Sequence, residues 1–258
     1  MTETIRQVRI HYEKFGAGER KVLLLHGWGC DSSFMLSVAD KLKDEYQVLI
    51  PDFPGHGKSD EPPEAWGVPE YADCLLELIT RLRFVPCAVI AHSFGARVAA
   101  WIASEHHDVF HHIILTGAAG IRPPQTEQSR KRSANYQRWK KLFSVLNKLP
   151  LFRPISARLR RVVQEKYGSR DYNALNDEMK KTFVKVVQQD LSDCYQKITQ
   201  PTLLLWGDLD QETPVWMGRR MERDIPDAAL ILLEGGSHFA YLEQLDRFIL
   251  IARNFLDS

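Results

Sequence analysis

The chain has 258 residues, of which 44% are hydrophobic and 26% are charged, and these are ordinary values for a folded globular protein. This length suits one α/β domain or one domain that carries an insertion, and the composition argues against a disordered chain. The net charge is only +1, and no nucleic-acid recognition motif accompanies the basic residues, so a nucleic-acid partner is not indicated.

The amino terminus and the cysteines favour a cytoplasmic protein. The first residues, MTETIRQVRIHYEKFG, have no apolar core behind a basic start, so no signal peptide is visible. No apolar run is long enough for a transmembrane segment. The four cysteines are widely spaced and form no C-x-x-C pair, which favours reduced thiols over a disulfide framework. They are Cys30, Cys74, Cys87 and Cys194.

Short apolar runs, most of them ending in Gly, Asp or Ser, predict the strands of a sheet. Near the start, VRIHYEKFG alternates between apolar and polar residues and predicts an antiparallel edge strand. The later runs are apolar nearly throughout, which is typical of parallel strands covered on both faces. In chain order they are KVLLLHG, YQVLIPDF, PCAVIAHS, HHIILTG, PTLLLWGD and ALILLEGG.

Helical patterns lie between these runs. They are EYADCLLELITRLRF, GARVAAWIAS, VWMGRRMERDI and, at the end of the chain, QLDRFILIARNFL. Alternating strands and helices predict an α/β protein with a doubly wound, mostly parallel sheet.

This alternation breaks between HHIILTGAAG and PTLLLWGD, where no convincing strand occurs. Residues 121–199 are therefore predicted to form a helical cap inserted into a core of residues 1–120 and 200–258. Within the cap, Arg122–Arg170 carries fourteen basic and two acidic residues, or +12, against −11 for the rest of the chain. A basic rim would attract an anionic acyl substrate or an acidic carrier, although solvated helix surfaces explain the charge equally well.

A single serine stands between a predicted strand and a predicted helix. Ala88–Ala91 should be a buried strand and Gly95–Ser104 a helix, so Ser93 lies on the turn between them. Small neighbours allow a tight reversal that exposes the hydroxyl, as in the nucleophile elbow G-x-S-x-G, here with Ala91 as the first small residue. The alternative interpretation is an ordinary serine N-cap.

A serine nucleophile needs a base and an acid from elsewhere in the chain. His92 is a poor base for Ser93, because successive side chains leaving a strand point to opposite sides. His238 follows the last apolar run in a glycine-rich turn, and Asp208 and Asp210 follow the run before it. The order Ser, Asp, His is the one expected for a hydrolase on such a sheet.

Five motifs in this order resemble those of the α/β-hydrolase superfamily, in its serine-nucleophile, esterase-like branch with a helical cap. The resemblance extends over nearly the whole chain. In turn, the motifs correspond to the oxyanion loop, the D-x-x-G-x-G-x-S turn, the elbow, the acid turn and the histidine turn. They are LLLHGWG, PDFPGHGKSD, AHSFGA, GDLDQETP and GGSHF.

The resemblance implies a role for each matched residue. It makes Ser93 the nucleophile, His238 the base and Asp210 the orienting acid. Asp210 is favoured over Asp208 because the family's acid falls three residues after the glycine, here Gly207.

The same resemblance implies the fold and the chemistry. It places the backbone N–H groups of Trp28 and Phe94 in an oxyanion hole, and it inserts the cap after the sixth strand of the fold. The expected enzyme needs no cofactor and no metal, and it cleaves a carboxylic ester or thioester of a small-molecule acyl substrate.

Two alternatives stay open. One is a carbon–carbon bond hydrolase of the meta-cleavage type, although members of that group usually have Trp after the histidine and this chain has Phe239. The other is a ligand-binding homologue with slow turnover. Serine at the elbow argues against the dehalogenase and epoxide-hydrolase branches, which use aspartate there.

Overall fold

One sheet of eight strands organises the described residues, 1–122 and 175–258, of a computed structural model. The strands are β1 (Thr2–Ile5), β2 (Val8–Phe15), β3 (Arg20–Leu25), β4 (Tyr46–Pro51), β5 (Cys87–His92), β6 (Phe110–Thr116), β7 (Thr202–Gly207) and β8 (Ala228–Leu233). Their order across the sheet is β1-β2-β4-β3-β5-β6-β7-β8, and β3 to β8 run parallel. The predicted mostly parallel sheet is confirmed.

The amino-terminal strand is antiparallel, as predicted, but it is not the edge of the sheet. β2 pairs with β4 on one side and with β1 on the other, so β1 is the edge strand. The turn between β1 and β2 consists of Arg6 and Gln7, which have φ values of 49° and 68°. Two-residue hairpin turns with positive φ usually contain Gly, Asn or Asp, and none of these is present to signal the hairpin in the sequence.

Helices lie between the parallel strands and after the last of them. They are α1 (Leu36–Leu42), α2 (Val68–Arg81), α3 (Phe94–Glu105), α4 (Asp177–Gln188), α5 (Ser192–Lys197), α6 (Val215–Asp224), α7 (Ala240–Glu243) and α8 (Leu245–Leu256), with a 3-10 helix at Ser32–Met35. The four predicted helices agree with α2, α3, α6 and α8 to within a few residues. None of the helices in the described residues combines the length and the apolar character needed to cross a bilayer.

Side chains of the central strands pack on both faces of the sheet. In β5, Val89 and Ala91 belong to one hydrophobic cluster, while Ala88 and Ile90 belong to a second. Because successive side chains of a strand alternate between faces, this division explains why the run is apolar throughout. All four cysteines are buried, and no disulfide joins them.

The chain divides into two compact units. One consists of Met1–Ile121 and Lys181–Ser258, and the other is Arg122–Lys180. Residues 123–174 lie outside the described residues, so the larger part of the predicted cap (121–199) and nearly all of the basic segment Arg122–Arg170 have no structural description here. The helical character and the role of this insertion after β6 stay predictions.

The register of the parallel strands brings their carboxyl ends to one edge of the sheet. Leu25 at the end of β3 pairs with Ala91 of β5, and His92 pairs with Thr116 at the end of β6. Gly207 at the end of β7 likewise pairs with Leu233 of β8. Loops that follow these strands therefore meet at the edge where open α/β sheets bind their ligands.

Candidate active site

Ser93 lies on the sharp turn between β5 and α3 and has a strained backbone. Its φ of 50° and ψ of −104° fall outside the regions that L-residues prefer, at a cost of about 1–3 kcal/mol. The Ser93 N–H donates to the carbonyl of Thr116 at 3.1 Å, which ties the turn to the end of β6. Ser93 occupies the N-cap position of α3, but its hydroxyl makes no capping hydrogen bond to the helix, unlike an ordinary serine N-cap.

A glycine on the other side of the turn allows α3 to approach β3. A Cβ at Gly95 would lie 2.7 Å from Leu25 Cβ and 2.8 Å from the carbonyl oxygen of His26. The Gly95 N–H donates to this same oxygen at 3.1 Å. No larger residue fits without backbone movement, because one of the crowding atoms is a backbone oxygen. Gly95, two residues after the serine, thus joins the elbow to the loop that follows β3.

The loops after β7 and β8 bring Asp210 and His238 into direct contact. His238 Nδ1 lies 2.8 Å from Asp210 Oδ2, and Asp210 is 4% exposed. An ionised carboxylate can only accept, so Nδ1 carries the proton of a neutral His238 and leaves Nε2 free to act as a base. Burial alone would raise the pKa of Asp210, but hydrogen bonds from His238 and Thr213 outweigh it and hold the pKa below its ordinary value.

Asp208 occupies a different position. Its Oδ1 accepts the backbone N–H of Gly235 at 2.7 Å on the exposed side of the loop that follows β8. The structure therefore brings Asp210, and not Asp208, to the His238 ring. Asp208 and Asp210 lie on the same turn after β7 but have different hydrogen-bond partners.

Thr213 is part of this arrangement and was not singled out in the sequence. Its hydroxyl donates to Asp210 Oδ2 at 2.8 Å, and its backbone N–H donates to Asp210 Oδ1 at 2.9 Å. Glu212 N–H adds a second backbone bond to Oδ1 at 2.9 Å. A threonine three residues after the acid, in DQET, is the signal that could have identified it.

Gly117, directly after β6, was also not identified from the sequence. It has φ +51°, and a Cβ there would lie 3.0 Å from His238 Nδ1 and 3.3 Å from Asp210 Oδ2. The Asp210–His238 pair thus packs directly against the main chain of Gly117, where a side chain would leave little room. The glycine of IILTG is visible in the sequence, but its closeness to the two loops depends on strand pairing.

The loop after β3 contains the predicted oxyanion donor Trp28. His26 is fully buried, and its Nδ1 donates to the Gly27 carbonyl at 2.8 Å while its Nε2 accepts from Phe53 N–H at 3.1 Å. The Trp28 ring meets the Phe94 ring edge-on at 5.2 Å. Neither the Trp28 nor the Phe94 backbone N–H donates to a residue in the described part of the chain.

Replacing the Thr213 hydroxyl should weaken the Asp210–His238 pair. We expect Thr213→Val to lower kcat/KM about tenfold, since a hydrogen bond to a charged group contributes about 1.5–3 kcal/mol and two backbone donors remain. Thr213→Ser keeps the hydroxyl and should stay within about threefold of the wild type. Steady-state kinetics on one ester substrate checks this, and equal rates for the Val and Ser variants would remove Thr213 from the site.

Within residues 1–122 and 175–258, no cluster of three or more His, Cys, Asp or Glu side chains is arranged to hold a metal ion.

A mostly parallel sheet with these polar loops at the carboxyl ends of its strands defines the class of α/β hydrolases. The chain belongs to the alpha/beta hydrolase family, whose family model matches residues 22–249. The match spans all five sequence motifs, and the resemblance seen in the sequence is confirmed.

Relatives in this family have diverse activities. The chain is 24% identical to a pimeloyl-[acyl-carrier protein] methyl ester esterase of Neisseria meningitidis, over 93% of this chain and 94% of that protein. It is 24% identical to a 2-hydroxy-6-oxononadienedioate/2-hydroxy-6-oxononatrienedioate hydrolase of Pseudomonas sp., over 96% and 91% of the two chains. An esterase structure from Exiguobacterium antarcticum superposes with a TM-score of 0.77 at 21% identity, covering 100% of this chain and 99% of that one.

Proposed function

We propose that the protein is a serine hydrolase that cleaves a carboxylic ester or thioester through an acyl-enzyme on Ser93. The observation that carries the proposal is the 2.8 Å contact between His238 Nδ1 and the buried Asp210, at the sheet edge where Ser93 occupies its strained turn. Family membership and esterase relatives support hydrolase chemistry.

The proposed reaction has two halves. His238 Nε2 accepts the Ser93 hydroxyl proton as Oγ attacks the carbonyl carbon, and the imidazolium then protonates the leaving oxygen or sulfur. Water, deprotonated by the same Nε2, attacks the acyl-enzyme and releases the carboxylic acid and Ser93. Asp210 holds the proton on Nδ1 throughout and stabilises the imidazolium.

The charge that develops on the carbonyl oxygen needs donors that are already in place. We assign this task to the backbone N–H groups of Trp28 and Phe94. Phe94 begins α3, where helix N–H groups lack partners and the helix dipole favours negative charge. Each such donor is typically worth about 3–4 kcal/mol in the transition state.

A relative and the charge of the predicted cap favour one class of substrate. One relative is an esterase of a carrier-linked methyl ester, and the basic segment Arg122–Arg170 would suit an anionic or carrier-linked acyl group. We therefore extend the proposal to substrates of this kind, with residues 121–199 as the cap that selects among them.

A carbon–carbon hydrolase is the second candidate, because a relative with this activity aligns over 96% of the chain. The phenylalanine after the base, Phe239, departs from the tryptophan usual in that group. Both reactions share the elbow and the Asp–His pair, so the substrate distinguishes them.

A panel of substrates tests the proposal. We expect Ser93-dependent turnover of p-nitrophenyl esters and thioesters of graded chain length, with a burst of p-nitrophenol equal to the enzyme concentration if deacylation is slow. Mass spectrometry of the quenched enzyme should find the acyl group on the peptide that contains Ser93. Turnover of a vinylogous 1,5-diketone without ester turnover would favour the second candidate, and a burst without turnover would favour a ligand-binding homologue.

A further inference from the structure

His92, the residue before Ser93, makes a hydrogen bond to the loop that carries the proposed base. Its ring is 1% exposed, and its Nε2 lies 3.0 Å from the backbone carbonyl oxygen of His238. A carbonyl oxygen only accepts, so Nε2 carries the proton and donates. The bond joins the neighbour of the nucleophile to the main chain of the base.

The other contacts of the ring restrict it further. A Cβ at Gly27 would lie only 2.8 Å from His92 Nδ1, and the His238 and Tyr241 rings are centred 4.6 and 4.9 Å away. No described residue is a hydrogen-bond partner of Nδ1. Burial, reinforced by the neighbouring His238, lowers the pKa of His92 to about 3, so the ring is neutral with its proton on Nε2.

The segment that receives this bond contains two glycines and is itself held by a bond from Gly235 N–H to Asp208 Oδ1. Gly235 and Gly236 precede Ser237 and His238, and Gly235 has φ +75°, which side-chain-bearing residues rarely adopt. The Asp210 contact holds the His238 imidazole at Nδ1, while the His92 contact holds the main chain of the same residue. The two contacts thus restrain both the side chain and the main chain of one residue.

We propose that His92 is a positioning residue, whose Nε2–H holds the His238 main chain so that the His238 imidazole faces the Ser93 hydroxyl. The inference rests on the proposed function, in which His238 is the base. His92 takes no part in proton transfer. It acts through the placement of another side chain, and a displacement of about 1 Å at a reacting group can cost about a hundredfold in rate.

The ring could instead serve only to fill space between Gly27 and Tyr241, and two substitutions separate these roles. His92→Gln loses the ring but places an amide N–H near the position of Nε2. His92→Phe keeps a ring of similar size and has no donor. If the hydrogen bond matters, Gln should be the better replacement. If packing of the ring matters, Phe should be the better replacement.

The test compares these variants in the full-length protein with one p-nitrophenyl ester and a fluorophosphonate probe. We expect His92→Phe to lower kcat and the labelling rate about ten- to a hundredfold with KM within about twofold, and His92→Gln to stay within about fivefold of the wild type. Thermal melting by circular dichroism identifies any variant that fails to fold. His92→Asn, an amide too short to reach the carbonyl, replaces Phe in that case and should behave like it.

The same substitution made in a His238→Ala enzyme separates a positioning role from a general effect on the active site. In His238→Ala enzyme, His92→Phe should change the residual labelling rate less than about twofold, because the side chain that it positions is absent. Equal loss in the Gln and Phe variants, or an undiminished effect in the His238→Ala background, overturns the inference. Labelling of the wild type that does not depend on Ser93 overturns the proposed function, and the inference with it.

Discussion

Ser93→Ala is expected to reduce kcat on an ester substrate by about four to six orders of magnitude and to abolish fluorophosphonate labelling. The reason is chemical, because without Oγ no acyl-enzyme can form, and the remaining rate comes from the oxyanion donors and substrate binding alone. Intact-protein mass spectrometry after probe treatment measures the labelling, and stopped assays over hours measure the residual rate.

Ser33→Ala is the matched control for this experiment. Ser33 is an exposed serine of the 3-10 helix, and its hydroxyl is bonded to Asp31. Its loss should leave labelling and kcat within about twofold of the wild type, as is usual for surface substitutions. Undiminished labelling in folded Ser93→Ala enzyme would contradict the nucleophile assignment and the proposed function together.

Asp210→Asn is expected to cost about four orders of magnitude in kcat with little loss of stability. The Asn side chain can present its NH₂ group to His238 Nδ1, which favours the tautomer with the proton on Nε2. That tautomer has no lone pair on Nε2 with which to accept the Ser93 proton. The kcat of each variant on one ester, read beside its melting temperature, checks the effect.

Asp208→Asn is the natural control, because it makes the same change two residues earlier. Asp208 bonds the Gly235 N–H and has no contact with His238 among the described residues, and an Asn side-chain oxygen can accept the same bond. We expect its kcat within about threefold of the wild type. A larger loss for Asp208→Asn than for Asp210→Asn would transfer the acid role to Asp208.

The strands of the central sheet could be predicted from the sequence because burial on both faces requires apolar residues along the whole strand. PCAVIAHS and PTLLLWGD became β5 and β7, since a strand covered on both sides must be apolar throughout. β1 was missed because Thr2–Ile5 is short and has only one buried residue. Its pairing depends on the Arg6–Gln7 turn, which contains none of the residues that usually announce such a hairpin.

The five motifs supplied candidates for the site but not all of its contacts. Ser93, Asp210 and His238 were named from motif spacing, and the structure brings Asp210 and His238 to 2.8 Å. Thr213 and Gly117 were not named, although each contacts or closely approaches that pair. Their roles depend on which loops face each other, and this is a property of strand order.

By itself, the sequence determined the α/β class, the parallel strands and the family. Apolar periodicity and loop motifs are local patterns, and they can be recognised along the chain without knowledge of tertiary contacts. Only the tertiary structure showed that Asp210, and not Asp208, contacts His238, that the Ser93 hydroxyl makes no capping bond to α3, and that His92 bonds the His238 carbonyl. The two His238 contacts depend on atoms distant in sequence that the register of β5 to β8 brings within about 3 Å, the range in which hydrogen bonds form.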